Sequence, residues 1–116
     1  MKDEFDYRKN SDLDKIRETL ERCHKFFEKA EKKNISVMPD EDILDMDIML
    51  SKTDVMIEAS IGKYKDKLKQ VPKRHSNPVI QKMLVNILEN KMETLQRYRE
   101  KLTNLKNRFE DFLIDC

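Results

Sequence analysis

A heptad pattern runs through residues 12–34, DLDKIRETLERCHKFFEKAEKKN. Apolar side chains recur there at alternating intervals of three and four residues, at Leu13, Ile16, Leu20, Cys23, Phe27 and Ala30. This spacing aligns them along one side of an α-helix, as in coiled coils. Because Phe26 is the only strongly apolar residue outside that line, the pattern predicts a helix over about 12–34 with one narrow contact face.

A second helix is predicted over about 40–71. Pro39 suits its N-terminus, because proline fixes φ near the helical value and lacks an N–H that the first turn leaves unpaired. The apolar stripe keeps its phase on both sides of Gly62, which favours one continuous helix at a local cost of about 1 kcal/mol relative to alanine. The stripe consists of Ile43, Met46, Leu50, Ile57, Ile61, Tyr64, Leu68 and Val71.

A third helix is predicted over about 78–114. Asn77 can cap its start, and Pro78 suits its first position. Three long helices joined by two short turns predict an all-α fold. Its form is an elongated up-down-up antiparallel three-helix bundle with coiled-coil-like packing. The sequence does not decide whether this bundle is a monomer or a dimer. Helix one is shorter than the other two, so we expect it to leave the end of the bundle around Met83 less covered.

The composition agrees with this fold. The 116 residues include one glycine and three prolines, which are too few turn residues for a fold of many short strands. The chain is long enough to bury a core as one domain. We therefore interpret residues 11–116 as a single helical-bundle domain, and residues 1–10 as an N-terminal segment that is partly ordered or extends helix one.

Charge and hydropathy limit the functional classes. The formal net charge is +1, so no overall field attracts nucleic acid or an anionic membrane. No stretch approaches the roughly 18 apolar residues of a membrane span, and the first residues hold no apolar run typical of a signal peptide. Cys23 and Cys116 lack the spacing of metal ligands. We expect a cytoplasmic, intracellular protein that uses no metal, cofactor, small molecule or membrane.

Helix two is apolar on a second side. At about 100° per residue, Leu44, Ile48 and Val55 fall opposite its main stripe, and uncovered apolar surface usually marks association. The sequence thus predicts a non-catalytic protein–protein interaction module (an adaptor, regulator or scaffold subunit) that binds a protein partner, a second copy as a homodimer, or both. The predicted partner-binding residues are Leu44, Ile48, Val55, Met56, Phe109, Phe112 and Leu113. A polar rim that steers the partner is predicted at Asp45, Asp47 and Asp54.

The alternative prediction is a nucleic-acid-binding helical module that uses the basic end Lys63–Arg74. Phosphate contacts need clustered Lys and Arg side chains, which this segment supplies. Tyr64 is predicted to face the core, however, so no aromatic ring interleaves with the lysines as a platform for base stacking. The residues that would contact nucleic acid are Lys65, Lys67, Lys69, Lys73 and Arg74.

A third prediction concerns Arg17 and His24, which are seven positions apart and so share a helix face. They resemble the Arg-x₄₋₆-His motif of the helical nuclease family known as HEPN domains. This chain departs from the motif at Glu18, where that family usually has a polar amide, Asp or His. The resemblance implies a metal-independent ribonuclease that works as a dimer. Cys23 is interpreted as a small core residue rather than a nucleophile. A nucleophilic cysteine needs a base within hydrogen-bond reach, and the side chains of Cys23 and His24, at adjacent helical positions, point about 100° apart. The leading prediction is therefore a protein that is not an enzyme.

Overall fold

Three α-helices make up the computed structural model, which describes residues 11–32 and 39–115 and contains no β-strand within them. They are α1 (Ser11–Lys32), α2 (Asp40–Arg74) and α3 (Pro78–Asp115). The bundle is elongated, with extents of 60 × 25 × 20 Å. The predicted all-α three-helix bundle is confirmed, whereas residues 1–10, the predicted last residues of helix one and Cys116 lie outside the described residues.

Ion pairs show how the helices are aligned. Lys63, in the second half of α2, lies with its Nζ 3.2 Å from a carboxylate oxygen of Asp12, at the start of α1. In the other half of α2, Asp54 accepts from Lys106 near the end of α3, at 3.3 Å. Both pairs join the first part of one helix to the last part of its neighbour, so the order is up-down-up. Such surface pairs contribute about 0–1 kcal/mol each, and they select orientation more than they stabilise the bundle.

The core follows the apolar stripes. All described members of the α1 heptad line are buried, and Ile16 and Cys23 have no exposed surface. From α2 and α3 the fully buried side chains include Ile57, Thr53 and Leu95. The Thr53 hydroxyl donates to the Met49 carbonyl at 2.7 Å, so this polar group in the core is paired within its own helix.

The turn between α2 and α3 is shorter than the sequence predicts. Helix α2 continues three residues past the predicted end at Val71, to Arg74, and includes Pro72. Proline here removes one helical hydrogen bond, but the next turn still closes because the His75 N–H donates to the Val71 carbonyl at 3.0 Å. The start of α3 is as predicted, since the Asn77 side chain accepts from the Val79 N–H at 2.9 Å.

Gly62 lies in the interior of α2, and the predicted continuity of this helix is confirmed. The residue is exposed, and a Cβ added to it would meet no atom within 4 Å. Glycine here therefore supplies neither a turn nor a close approach of two helices. Its effect is to increase the conformational freedom of the unfolded chain, which destabilises the helix.

We expect Gly62→Ala to raise the free energy of unfolding by about 1 kcal/mol, because alanine loses less backbone entropy in an exposed helix interior. Urea unfolding followed by circular dichroism measures this as a higher midpoint at an unchanged slope. Ala59→Gly, one turn earlier at another exposed position of α2, is the matched control and should lower the free energy by a similar amount. An unchanged or lower midpoint for Gly62→Ala would contradict this account of the helix.

Candidate protein-binding face

The side of α2 that faces away from the core carries a line of apolar residues. Leu44, Ile48 and Val55 are 62%, 52% and 68% exposed. Ala59, also exposed, continues the line, and at 3.6 residues per turn the four positions lie within about 60° of one another. We call these four residues the outer face. It runs for about 22 Å along the helix, and the buried residues Met46, Leu50 and Ile57 lie on the opposite side.

Met56 lies at the edge of the outer face rather than on it. Its side chain is half-buried and packs against the core, as does that of Met49. Together with Ala59 and Lys15 it lines a hollow of about 290 Å³ between α1 and α2. Of the four residues predicted on this helix, three are thus open to a partner, and Met56 borders them with a flexible side chain.

The predicted acidic rim surrounds the first half of the outer face. Asp45 and Asp47 are exposed, and their side chains form no ion pair or hydrogen bond with any residue that the structure describes. Asp54 differs, because it is half-buried and pairs with Lys106 of α3. Glu58 pairs with Arg99 in the same way. The pairs with α3 neutralise one edge of the outer face, while the carboxylates near the start of α2 keep their charge without a partner in the described chain.

The second predicted set of partner-binding residues does not form one exposed surface. Phe109 is buried, and its ring centroid lies 6.3 Å from that of Phe27 in α1. Phe112 is half-buried and packs against the core. Leu113 is exposed, as is its neighbour Ile114. Phe109 thus holds the end of α1 against α3, and of this second set only Leu113, in the last turn of α3, is exposed.

A further exposed apolar group lies in the first turns of α3, at Val79, Ile80 and Met83. The sequence predicts less cover at the end of the bundle around Met83, because helix one is short, and the exposure of these residues agrees with that prediction. In the structure α1 begins beside Lys63, so it does not cover the beginning of α3. Val79 was missed, because a single valine outside the stripe gives no signal in the sequence.

The basic end of α2 has exposed lysines but a buried aromatic ring. Lys65, Lys69, Lys73 and Arg74 are exposed, whereas Lys67 is half-buried. Tyr64 is buried beneath three ammonium groups, those of Lys63, Lys67 and Lys91, which lie 6.0, 5.8 and 5.7 Å from its ring centroid. Tyr64 is part of the core, which continues past it to Val71 and Leu84, and it presents no face on which a base could stack.

Burial shifts the acid–base behaviour of this end of the bundle. It raises the pKa of Tyr64, with Asp12 acting in the same direction and Lys63 in the opposite one. It lowers the pKa of Lys67, to which the nearby Lys63 charge also contributes. Both shifts have the direction that desolvation of a charged form produces. They are properties of a packed helix end rather than of a reactive centre.

Arg17 and His24 share one groove, as their spacing predicts. The groove lies between α1 and α3, has a volume of about 670 Å³, and is also lined by Tyr98 and Arg108. Each residue pairs with a carboxylate of its own helix, His24 with Glu28 at 2.9 Å and Arg17 with Asp14 at 3.5 Å. Arg108 lies with one guanidinium nitrogen 3.5 Å from Nδ1 of His24 and stacks over the Phe27 ring. Arg108 thus links α3 to α1, while the ion pairs of Arg17 and His24 lie within α1.

Cys23 is a free thiol at the centre of the α1 heptad line. Burial raises its pKa, because the low dielectric of the core disfavours the thiolate. A nucleophile needs the opposite environment, an exposed and electropositive one. The structure thus supports the interpretation of Cys23 as a small core residue.

The described residues offer neither a metal site nor a membrane span. No group of three or more His, Cys, Asp or Glu side chains there is arranged to hold a metal ion. None of the three helices is both long and apolar enough to cross a membrane. In comparisons with known proteins, no family model, no curated protein and no solved structure matches the chain. The functional conclusion therefore rests on the geometry of the chain itself.

We expect Cys23 to be unreactive toward thiol reagents in the folded protein, because it is buried and its raised pKa lowers the thiolate fraction at any given pH. The measurement uses Cys116→Ser, which leaves Cys23 as the single thiol, and a chromogenic disulfide reagent at mildly alkaline pH. Concentrated guanidinium chloride should make the same thiol react fully. Rapid reaction of the folded protein would show that the α1 line opens, or that Cys23 is not a core residue.

Proposed function

We propose that the protein is a non-catalytic helical interaction module that binds another protein chain through the outer face of α2. The observation that carries this proposal is the exposure of Leu44, Ile48 and Val55, in line, on a helix whose opposite side already fills the core. Single exposed apolar residues are ordinary, but an aligned set on one helix is typical of helix-in-groove or helix-on-helix recognition.

The energy available at this face suits a specific but modest association. Burying the exposed part of an aliphatic side chain contributes on the order of 1–2 kcal/mol. Three such side chains exceed what an isolated surface contact supplies, and Met56 at the edge can adapt to the shape of a partner. Entropy losses on association reduce the net affinity, so the interface must extend beyond these anchors to the acidic rim.

The remaining polar features support a structural role for the rest of the chain. Arg108 of α3 contacts His24 of α1, while Arg17 and His24 pair with carboxylates of their own helix. Cys23 is a buried thiol. A free thiol in the core accords with a reducing intracellular setting, which we propose as the site of action. An adaptor, regulator or scaffold subunit needs only the rigid bundle and one available face.

We expect Ile48→Asp/Val55→Asp to remain folded, because both side chains are more than half exposed, and to lose whatever association the wild type shows. Light scattering coupled to size exclusion gives the solution mass of both proteins, and urea unfolding gives their stabilities. The free energy of unfolding should change by less than about 1 kcal/mol.

Val79→Asp is the matched control, since Val79 is an equally exposed valine on a different helix and its substitution should leave association unchanged. A wild-type dimer that becomes a folded monomer in the double variant would identify a second copy as the occupant of the outer face. A monomeric wild type would mean that any partner of the outer face is a different protein. Loss of folding in the double variant, or association that survives it, would overturn the proposal.

A further inference from the structure

We infer that the outer face of α2 binds an amphipathic helix with basic flanks from a different protein, and not a second copy of this chain. The inference rests on the proposed function and adds the chemistry of the partner. It depends on where the charges of α2 lie relative to its apolar line.

Negative charge is concentrated around the outer face. Between residues 40 and 58 of α2, Lys52 is the only basic residue among seven carboxylates, which are Asp40, Glu41, Asp42, Asp45, Asp47, Asp54 and Glu58. The last two are held by Lys106 and Arg99 of α3. Asp45 and Asp47 have no ion-pair partner in the described residues. A partner that covers Ile48 must therefore lie against unpaired carboxylates.

Two copies of this chain that pair through their α2 helices cannot satisfy both the apolar line and these charges. If the outer faces of two copies meet, residues 40–58 of one lie against residues 40–58 of the other, and their carboxylates repel. If the two α2 helices instead pair antiparallel with acidic half against basic half, Leu44 and Ile48 lie against the lysine-rich segment 63–74 of the second copy. Each arrangement satisfies one requirement and violates the other.

A helix with basic flanks satisfies both requirements at once. The outer face is about 22 Å long, which corresponds to a partner helix of about 15 residues. Apolar side chains spaced to meet Leu44, Ile48 and Val55 would exclude water, and Lys or Arg beside them would pair with Asp45 and Asp47. Because these carboxylates are exposed, their attraction to the basic side chains of the partner should be screened over about 8 Å at physiological ionic strength.

The test uses three synthetic amphipathic helices, each held helical by a side-chain cross-link so that the entropy of folding is equal. All carry the same apolar stripe, and their flanking positions are all Lys, all Gln or all Glu. Binding to the full chain is measured by fluorescence anisotropy at low and at high salt. We expect the Lys helix to bind at least about tenfold more tightly than the Glu helix, with the difference shrinking as salt increases.

Substitutions in the protein separate charge from apolar contact. Asp45→Asn/Asp47→Asn should weaken binding of the Lys helix about tenfold and leave the Gln helix unaffected. Asp111→Asn, at an exposed carboxylate of α3, is the matched control and should change neither. Ile48→Ser/Val55→Ser, which keeps the net charge, should abolish binding of all three helices.

The outcomes distinguish this inference from the proposed function. Equal binding of the three helices, abolished by Ile48→Ser/Val55→Ser, would overturn the basic partner and retain the interaction face. A wild-type dimer that Ile48→Asp/Val55→Asp dissociates would do the same, with a second copy as the occupant. Binding of the Lys helix that survives Ile48→Ser/Val55→Ser would be charge attraction alone, and would overturn the inference. A monomeric wild type that binds none of the three helices would remove both the inference and the proposed function.

Discussion

The burial of the single apolar line of α1 is the constraint on which the rest of the structure depends. Its described members are 0–5% exposed, so this line is wholly buried in the core. Phe26 is the one strongly apolar side chain of the described part of α1 outside the line, and it also packs against the core. The main stripes of α2 and α3 complete the same core, and Phe109 locks the far end against Phe27. Leu44, Ile48 and Val55 of α2, which lie outside these stripes, consequently remain exposed.

The unequal helix lengths set where the bundle is closed and where it is open. Helix α1 has 22 residues, against 35 and 38 in its neighbours. Beyond the start of α1, the α2–α3 hairpin continues as two helices. Tyr64 is buried there beneath lysine ammonium groups, and the core continues past it to Val71 and Leu84. The early residues of α3 remain exposed for the same reason.

The charges of α2 change from acidic at its start to basic at its end, and this gradient has two effects. Acidic residues at its start and basic residues at its end complement the helix dipole and align the antiparallel neighbours, as the pairs of Lys63 with Asp12 and of Asp54 with Lys106 show. The same gradient surrounds Leu44 and Ile48 with carboxylates. The feature that orients the helices within the bundle thus also places negative charge beside the outer face, and the proposal of a basic partner follows from that charge.

The sequence by itself determined the number, type and order of the helices, because heptad spacing, Asn77 before Pro78 and the scarcity of glycine are local signals. It also predicted the continuity of α2 through Gly62 and the apolar second side at Leu44, Ile48 and Val55, since both follow from helical periodicity alone. Only the tertiary structure decided which of these helical positions are buried and which charged side chains are paired. Burial depends on which neighbour covers a position, so only packing showed that Phe109 belongs to the core, that Met56 lies at an edge, and that Asp54 is paired while Asp45 is not.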